Sequence, residues 1–355
     1  MPNPNLHLPQ GTEAFYLDEA YAHRKLVRTF EDRCELWGYL PVQTPVYDYH
    51  ELYRGLVDRS REGSTYRLFD RAGDLLVLRS DITLFLARQM GLVLNHGDLP
   101  VRVCYGDTIL RHEDPYDISQ NEYFQVGAEL IGATGLDADA EIVLLLFEAL
   151  DHGGAHDVVV HLGHRALLHS YNGAGLLAPA VAGRDWERTR EALREAGLEQ
   201  SQARSLLKLY GFIGSTGDLR RLLDDLPNLN EAEGRAAEHL LLLAGELEAL
   251  GYGERIRLDL SEVGSQVYHS GIVFQAYAPD TAGAIASGGR YDGLLGHFGF
   301  NAPSVGFSVM LRRLQARRPA QPHHPPIRPV QPNGPFRERY RSAQQARSRG
   351  EVVAL

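Results

Sequence analysis

The chain has 355 residues, room for about two domains, and its 44% apolar content allows a real core. Its formal charge is −10, but residues 316–355 hold eight Arg against two Glu, net +6, so residues 1–315 carry −16. An acidic body argues against a nucleic-acid-binding surface; only two lysines, Lys25 and Lys208, both outside any Gly-rich loop, exclude a P-loop; and two cysteines, Cys34 and Cys104, are too few for a disulfide scaffold or a Cys-rich zinc site.

Met1 to Thr12 has neither the basic start nor the apolar stretch of a signal peptide. The longest apolar run, Ile142 to Phe147, falls far short of a membrane span of ~20 residues. No repeat at solenoid period is present. These features predict a soluble, reduced, cytoplasmic α/β or α+β protein.

Apolar residues at helical spacing predict an amphipathic helix over 13–37, stopped at Gly38. Tyr39 to Tyr47 reads as an extended segment that Pro41 and Pro45 confine to an edge or an interface. A hairpin follows over 66–70 and 75–79, with Ala72-Gly73-Asp74 in its turn, and then a helix over 82–91. Val101 to Gly106 and Asn121 to Leu130 read as strands joined by the polar loop Arg111 to Asp117. Asp139 to Leu150 is an apolar helix and Val158 to Leu162 a buried strand. Residues 165–252 read as helices rich in Leu and Ala, with no strand among them. Strands return at Arg255 to Leu260 and Gly271 to Tyr277. Ser287 to Gly293 reads as a Gly-rich loop, and Pro303 to Leu314 as a turn into a helix. Residues 316–355 hold seven of the 18 prolines and few aliphatic residues, which predicts a disordered tail.

Three sets of residues carry a family resemblance. The first is Gly38-Tyr39 with Thr44-Pro45. The second is Leu78-Arg79-Ser80-Asp81-Ile82-Thr83, with Arg111-His112-Glu113-Asp114-Pro115 and Tyr123 to Gly132. The third is Ser287-Gly288-Gly289-Arg290-Tyr291-Asp292-Gly293-Leu294, with Pro303 to Phe307 and Arg313. In this order they resemble the class II aminoacyl-tRNA synthetase core, specifically histidyl-tRNA synthetase, over residues ~10–315. The resemblance implies an α+β fold: an antiparallel sheet flanked by helices, with a helical insertion. It places the core in 1–164 and 253–315, the insertion in 165–252 and the tail in 316–355. It also implies a dimer through the first motif, near Pro45.

The resemblance sorts the site residues into kept and lost. Activating an amino acid on ATP needs cations against the developing phosphate charge. Arg111 and Arg313 match two family arginines. The stretch Ser119 to Tyr123, with Asn121, lacks another. Gly264 stands where a further arginine opens the family's Tyr-Tyr motif, and Met310 replaces a glycine beside the nucleotide. The amino-acid side is better kept. Asp81 and Thr83 match the ammonium-binding pair. Gln125 and Glu129, four residues apart on one strand, share a face and match substrate positions. Arg111 suits a carboxylate, Tyr268 matches the first tyrosine of the pair, and His269 replaces the second. Asp81, Thr83, Arg111, Gln125, Glu129, Tyr268 and His269 are therefore the expected histidine-binding set; the plain alternative is a decayed cleft whose polar groups bond one another.

Two other clusters are set aside. His161, His164 and His169 begin like zinc ligands, but no carboxylate or cysteine completes a set, and sheet histidines are expected. Glu113, Asp114 and Asp117 read as a solvated loop rather than a magnesium site. No nucleophile elbow appears. No metal, cofactor or catalytic residue is expected.

A histidyl-synthetase body without its tRNA-binding domain resembles the regulatory subunit of ATP phosphoribosyltransferase. That implies a short-form catalytic subunit as partner, a role in the first step of histidine biosynthesis and in feedback inhibition by L-histidine, and no tRNA or membrane partner. A divergent aminoacyl-adenylate-forming ligase and a free-standing histidine sensor remain the alternatives.

Overall fold

The structure, a computed structural model, describes residues 9, 11–12, 14–56, 63–112, 121–168, 176–226, 229–264, 266–281, 283–317, 328–329 and 335–354. The loop acids Glu113, Asp114 and Asp117, and His169, lie outside the described residues.

Helix α1 (Leu17–Leu36) buries Ala22, Leu26, Phe30 and Cys34 at i, i+4 spacing and ends at Trp37, before Gly38 at φ 80°. The edge strand β1 (Leu40–Pro41) follows, its proline tolerated at the sheet margin. Strands β2 (Tyr47–Tyr49), β3 (Arg67–Phe69) and β4 (Leu75–Leu78) form a separate sheet in the order β2-β4-β3. The β3–β4 turn is held by Asp70, whose Oδ1 accepts from the Ala72 and Asp74 amides at 2.8 and 2.9 Å. Helix α2 (Ile82–Val93) starts on the N-cap Asp81.

The long hairpin of β5 (Val101–Leu110) and β6 (Glu122–Ile131) leads into α3 (Leu136–His152) and β7 (Val159–His164). Then come α4 (Leu177–Ala182), α5 (Trp186–Glu195), α6 (Gln200–Tyr210), β8 (Ile213–Gly214), α7 (Thr216–Asp224) and α8 (Glu231–Ala249). The body closes with β9 (Ile256–Asp259), β10 (Ile272–Tyr277), β11 (Ala286–Arg290), α9 (Leu294–His297), β12 (Ser304–Met310) and α10 (Leu311–Ala316). Beyond it lie β13 (Arg328–Pro329), α11 (Phe336–Ser348) and β14 (Val353–Ala354).

Nine strands make one sheet in the order β1-β5-β6-β12-β11-β10-β7-β9-β8. It is antiparallel except for the β1/β5 and β7/β9 pairs. Period-two alternation assigns its faces. Val126, Ala128 and Leu130 of β6 join α1, α3 and α8 in the larger core. Tyr105, Ile109, Tyr123 and Ile131 pack on the other side with Phe85 of α2 and Leu295 of α9. Arg79 ties two motif segments together. It is 2% exposed, and it donates to the Thr44 carbonyl and hydroxyl at 2.8 and 2.9 Å and to the Thr108 carbonyl at 2.8 Å. That strut fixes the chain two residues before Asp81.

Four expectations need correction. Ser287 to Arg290 is not a loop but part of strand β11, because its glycines answer to packing. A Cβ on Gly288 would lie 2.4 Å from the Gly306 carbonyl and from the Phe274 ring. Residues 304–310 are likewise a strand before the helix α10, closing the gap between β6 and β11. Within 165–252, Ile213–Gly214 adds an edge strand to β9, an apolar-polar pair too short to leave a periodic signal. The tail is not uniformly without structure: its prolines end at Pro335, and the Arg, Gln and Ala residues after it are good helix formers that give α11, with Ala343 and Ala346 buried.

Candidate functional site

All seven predicted residues, Asp81, Thr83, Arg111, Gln125, Glu129, Tyr268 and His269, line one cleft on the α2 side of the sheet. Strand pleating brings Gln125 and Glu129 there, two positions along the same face of β6. Gly264 and Gln266 from the loop before β10, Tyr291 after β11, Met310 at the end of β12 and Arg313 in α10 also line it.

Asp81 serves two purposes. Its Oδ1 caps α2, accepting from the Leu84 amide at 3.1 Å, while Oδ2 accepts from the Tyr268 hydroxyl at 3.2 Å and Gln266 Nε2 at 3.4 Å. The same carboxylate thus starts a helix and holds the opposite loop across the cleft.

Glu129 forms the floor and is 1% exposed. Its Oε1 accepts from Thr83 at 2.7 Å and Tyr105 at 3.3 Å, and its Oε2 from Tyr291 at 2.5 Å. Burial pushes its carboxyl up to about 8, the Asp81 charge adds to the rise, and the hydroxyls of Tyr291, Thr83 and Tyr105 pull it part of the way back. Burial raises Tyr105, Tyr268 and Tyr291 well above the usual phenol range, so their hydroxyls stay protonated donors. Gly306 is glycine for a steric reason: a Cβ there would fall 1.4 Å from Glu129 Oε2. The sequence reading missed Tyr105 and Tyr291 as floor groups. Tyr291 sits within the Gly-Gly-Arg-Tyr-Asp-Gly string, which was a signal; Tyr105, inside an apolar strand, offered none.

Elsewhere in the cleft, Gln125 Nε2 donates to the Met310 thioether at 3.6 Å. Arg313 donates to the Ala284 carbonyl at 2.6 Å. Arg111 stands over the Tyr123 ring at 5.5 Å. Gly264 has φ 77°, and the His269 ring fills the space beside its α-carbon. Burial, with Arg165 nearby, lowers His269 to about 3, so the ring is neutral, and its buried Nδ1 has no hydrogen-bond partner. Asn121 does not line the cleft. It packs under Gly11, and its Oδ1 meets His112 Nδ1 at 3.0 Å.

Comparisons with known proteins give the family. A family model described as histidyl-tRNA synthetase matches residues 11–314. The chain is 32% identical over 321 residues to the ATP phosphoribosyltransferase regulatory subunit of Syntrophotalea carbinolica, covering 88% of this chain and 74% of that one. It is also 32% identical to a protein of the same name from Symbiobacterium thermophilum, over 100% of this chain and 91% of the other.

The chain belongs to the ATP phosphoribosyltransferase regulatory subunit family.

The fold of this regulatory-subunit chain matches a crystal structure described as an ATP phosphoribosyltransferase regulatory subunit/histidyl-tRNA synthetase from Bacillus halodurans. The TM-score is 0.85 at 24% identity, covering 100% of this chain and 93% of that one. The class II synthetase-like architecture is therefore secure. No described helix is long and apolar enough to cross a membrane.

One cluster, whose Glu262 also lines the cleft, corrects the sequence reading. Two carboxylates do approach His161: ligand-type atoms of His161, Asp259 and Glu262 lie within 4.8 Å of one another. Their bonds are already taken. Asp259 accepts from His161 at 2.9 Å, Arg184 at 2.7 Å and Ser261 at 2.6 Å, and Glu262 from Gln275 at 2.7 Å and Tyr277 at 2.8 Å. The Arg184 guanidinium pairs with Asp259, and the cluster is a hydrogen-bonded network joining β7, β9 and β10.

Proposed function

We propose that this chain is a non-catalytic regulatory subunit of ATP phosphoribosyltransferase. It assembles with a short-form catalytic subunit, acts in the cytoplasm, and binds free L-histidine in the cleft as the feedback effector of the first step of histidine biosynthesis. One observation carries the reading: the seven residues matched to the amino acid line one cleft, while Gly264 in the same cleft stands where the resemblance places an arginine. Asp81 and Thr83 take the ammonium, Arg111 the carboxylate, and Gln125, Glu129, Tyr268 and His269 surround the side chain. A ligand of this kind biases assembly states only by its differential affinity for them.

The core is 1–164 with 253–315, and 165–252 is an insertion carried on it. Self-association runs through the first motif near Pro45, supported by exposed Leu40, Val46 and Tyr47 at 65%, 53% and 57%. No tRNA partner is proposed, in keeping with the acidic body.

Arg111 and Arg313 favour a second reading, an aminoacyl-adenylate-forming ligase. Co-purification with a short-form catalytic subunit, followed by assay of the complex, tests the first reading. Histidine-dependent exchange of pyrophosphate into ATP by the purified chain would establish the second.

A further inference from the structure

Arg111 reaches the cleft from the point where β5 leaves the sheet, one residue past the last β5/β6 pair, Leu110 with Glu122. A guanidinium at a strand end is placed only as well as the backbone that carries it. Three segments far apart in sequence converge on that backbone. Beside β6, the Asn121 carbonyl accepts from the Arg111 amide at 3.0 Å. Before β3, Thr65 bridges Arg111, the Ser64 carbonyl accepts from the His112 amide at 2.9 Å, and the Tyr66 ring packs on His112 at 4.3 Å. On the N-terminal side, the Gly11 carbonyl accepts from two successive amides, Asn121 at 2.9 Å and Glu122 at 3.2 Å.

Asn121 is the post between these segments. It is 5% exposed, its Oδ1 meets His112 Nδ1 at 3.0 Å, and its side chain lies under Gly11. Gly11 fits there because it has no side chain: a Cβ would lie 2.7 Å from Asn121 Cγ, on a backbone at φ 78°. Thr12 bonds back to the Pro9 carbonyl through its amide and hydroxyl, at 3.3 and 2.8 Å, which holds this N-terminal strap in its turn.

We propose that Asn121 and Gly11 are positioning residues for Arg111: the strap, locked on Asn121, fixes the guanidinium in the cleft and sets how tightly the site holds the carboxylate of its ligand. The proposal rests on the reading that the cleft holds free L-histidine with Arg111 on its carboxylate. Asn121, in the stretch where the resemblance expects an arginine, thereby has a task outside the cleft. A donor already ordered loses less freedom on binding than one the ligand must order. Loosening the strap should therefore weaken the carboxylate contact alone. The ammonium and ring contacts are carried by other elements, Asp81 and Thr83 at the start of α2 and Gln125 and Glu129 on β6.

The test is calorimetric titration of the full chain with L-histidine and with histamine, which keeps the ring and the ammonium and lacks the carboxylate. A charge-assisted pair is worth roughly ten- to a hundredfold in affinity, and Arg111→Ala should weaken L-histidine by about that much. Gly11→Ala, which drives a Cβ into Asn121, and Asn121→Ala, which removes the post, should each weaken L-histidine about tenfold and histamine by less than about twofold. Added to Arg111→Ala, neither should weaken L-histidine further, because the group they position is gone. Thermal unfolding of each variant reads any loss of fold separately. Equal losses for the two ligands, a loss that persists in the Arg111→Ala background, or L-histidine binding unchanged in Arg111→Ala or in both strap variants would overturn the positioning role and leave the histidine site standing. No binding of L-histidine by the wild-type chain would overturn both.

Discussion

The ring of His269 occupies the space into which a side chain at Gly264 would have to grow. A Cβ at 264 would lie 2.4 Å from His269 Nδ1 and 2.9 Å from Val273 Cγ1, on a backbone at φ 77°. A side chain at 264 and the ring at 269 thus compete for one space, and a substitution at 264 alone must displace His269.

Gly264→Arg should lower stability by about 1–3 kcal/mol, through left-handed backbone strain and displacement of His269. Adding His269→Ala should recover part of that loss, because residues in contact couple by about 0.5–3 kcal/mol. Urea unfolding of the two single variants and the double variant checks this. Simple additivity would show that the two positions do not share space.

The wild-type chain should show no histidine-dependent exchange of pyrophosphate into ATP. On the proposed reading the cleft lacks the cation that an arginine at 264 would supply, and a missing preorganised cation costs about 10²–10³ in rate. Met310→Gly should not restore exchange, since it supplies no charge.

Asp81 separates two roles. Asp81→Asn keeps a good helix cap and removes the charge, so it should weaken histidine binding by about one to two decades with little change in thermal midpoint. Asp81→Ala should lose the binding and, in addition, about 1 kcal/mol of stability from the lost cap. Calorimetry and thermal unfolding of both variants measure the two effects independently.

Glu129 gives stability a pH dependence of definite sign. Burial raises its folded carboxyl to about 8, whereas an unfolded glutamate titrates near ~4.3. The contribution is fully present below ~4.3 and is lost as pH rises through about 8, on the order of a few kcal/mol across that window. Glu129→Gln cannot titrate. The difference in unfolding free energy between wild type and this variant should therefore favour the wild type more at pH 5 than at pH 8, as urea titrations at the two values would reveal. A difference that does not change with pH contradicts the raised carboxyl.

Much of this was legible in the chain itself, for local reasons. The i, i+4 stripe from Ala22 to Cys34 is visible in the sequence, and period two places Gln125 and Glu129 on one face without reference to the rest of the fold. Glycines 288 and 289 misled for the opposite reason: they look like a loop, but they are small because the Gly306 and Ile272 carbonyls pass close by. The approach of Asp259 and Glu262 to His161, and of the Tyr105 and Tyr291 hydroxyls to Glu129, depends on pairing across strands far apart in sequence, which no local pattern encodes. In the tail, prolines up to Pro335 masked the helix-forming run after it.

The most direct measurement is the ATP phosphoribosyltransferase activity of a short-form catalytic subunit, alone and with this chain, against L-histidine. The account predicts that activity rises on addition of the chain, that histidine inhibits the complex, and that the Asp81→Asn complex needs about one to two decades more histidine for the same inhibition. Inhibition by histidine at the same concentration in the wild-type and Asp81→Asn complexes would contradict it and move the effector site to the catalytic subunit.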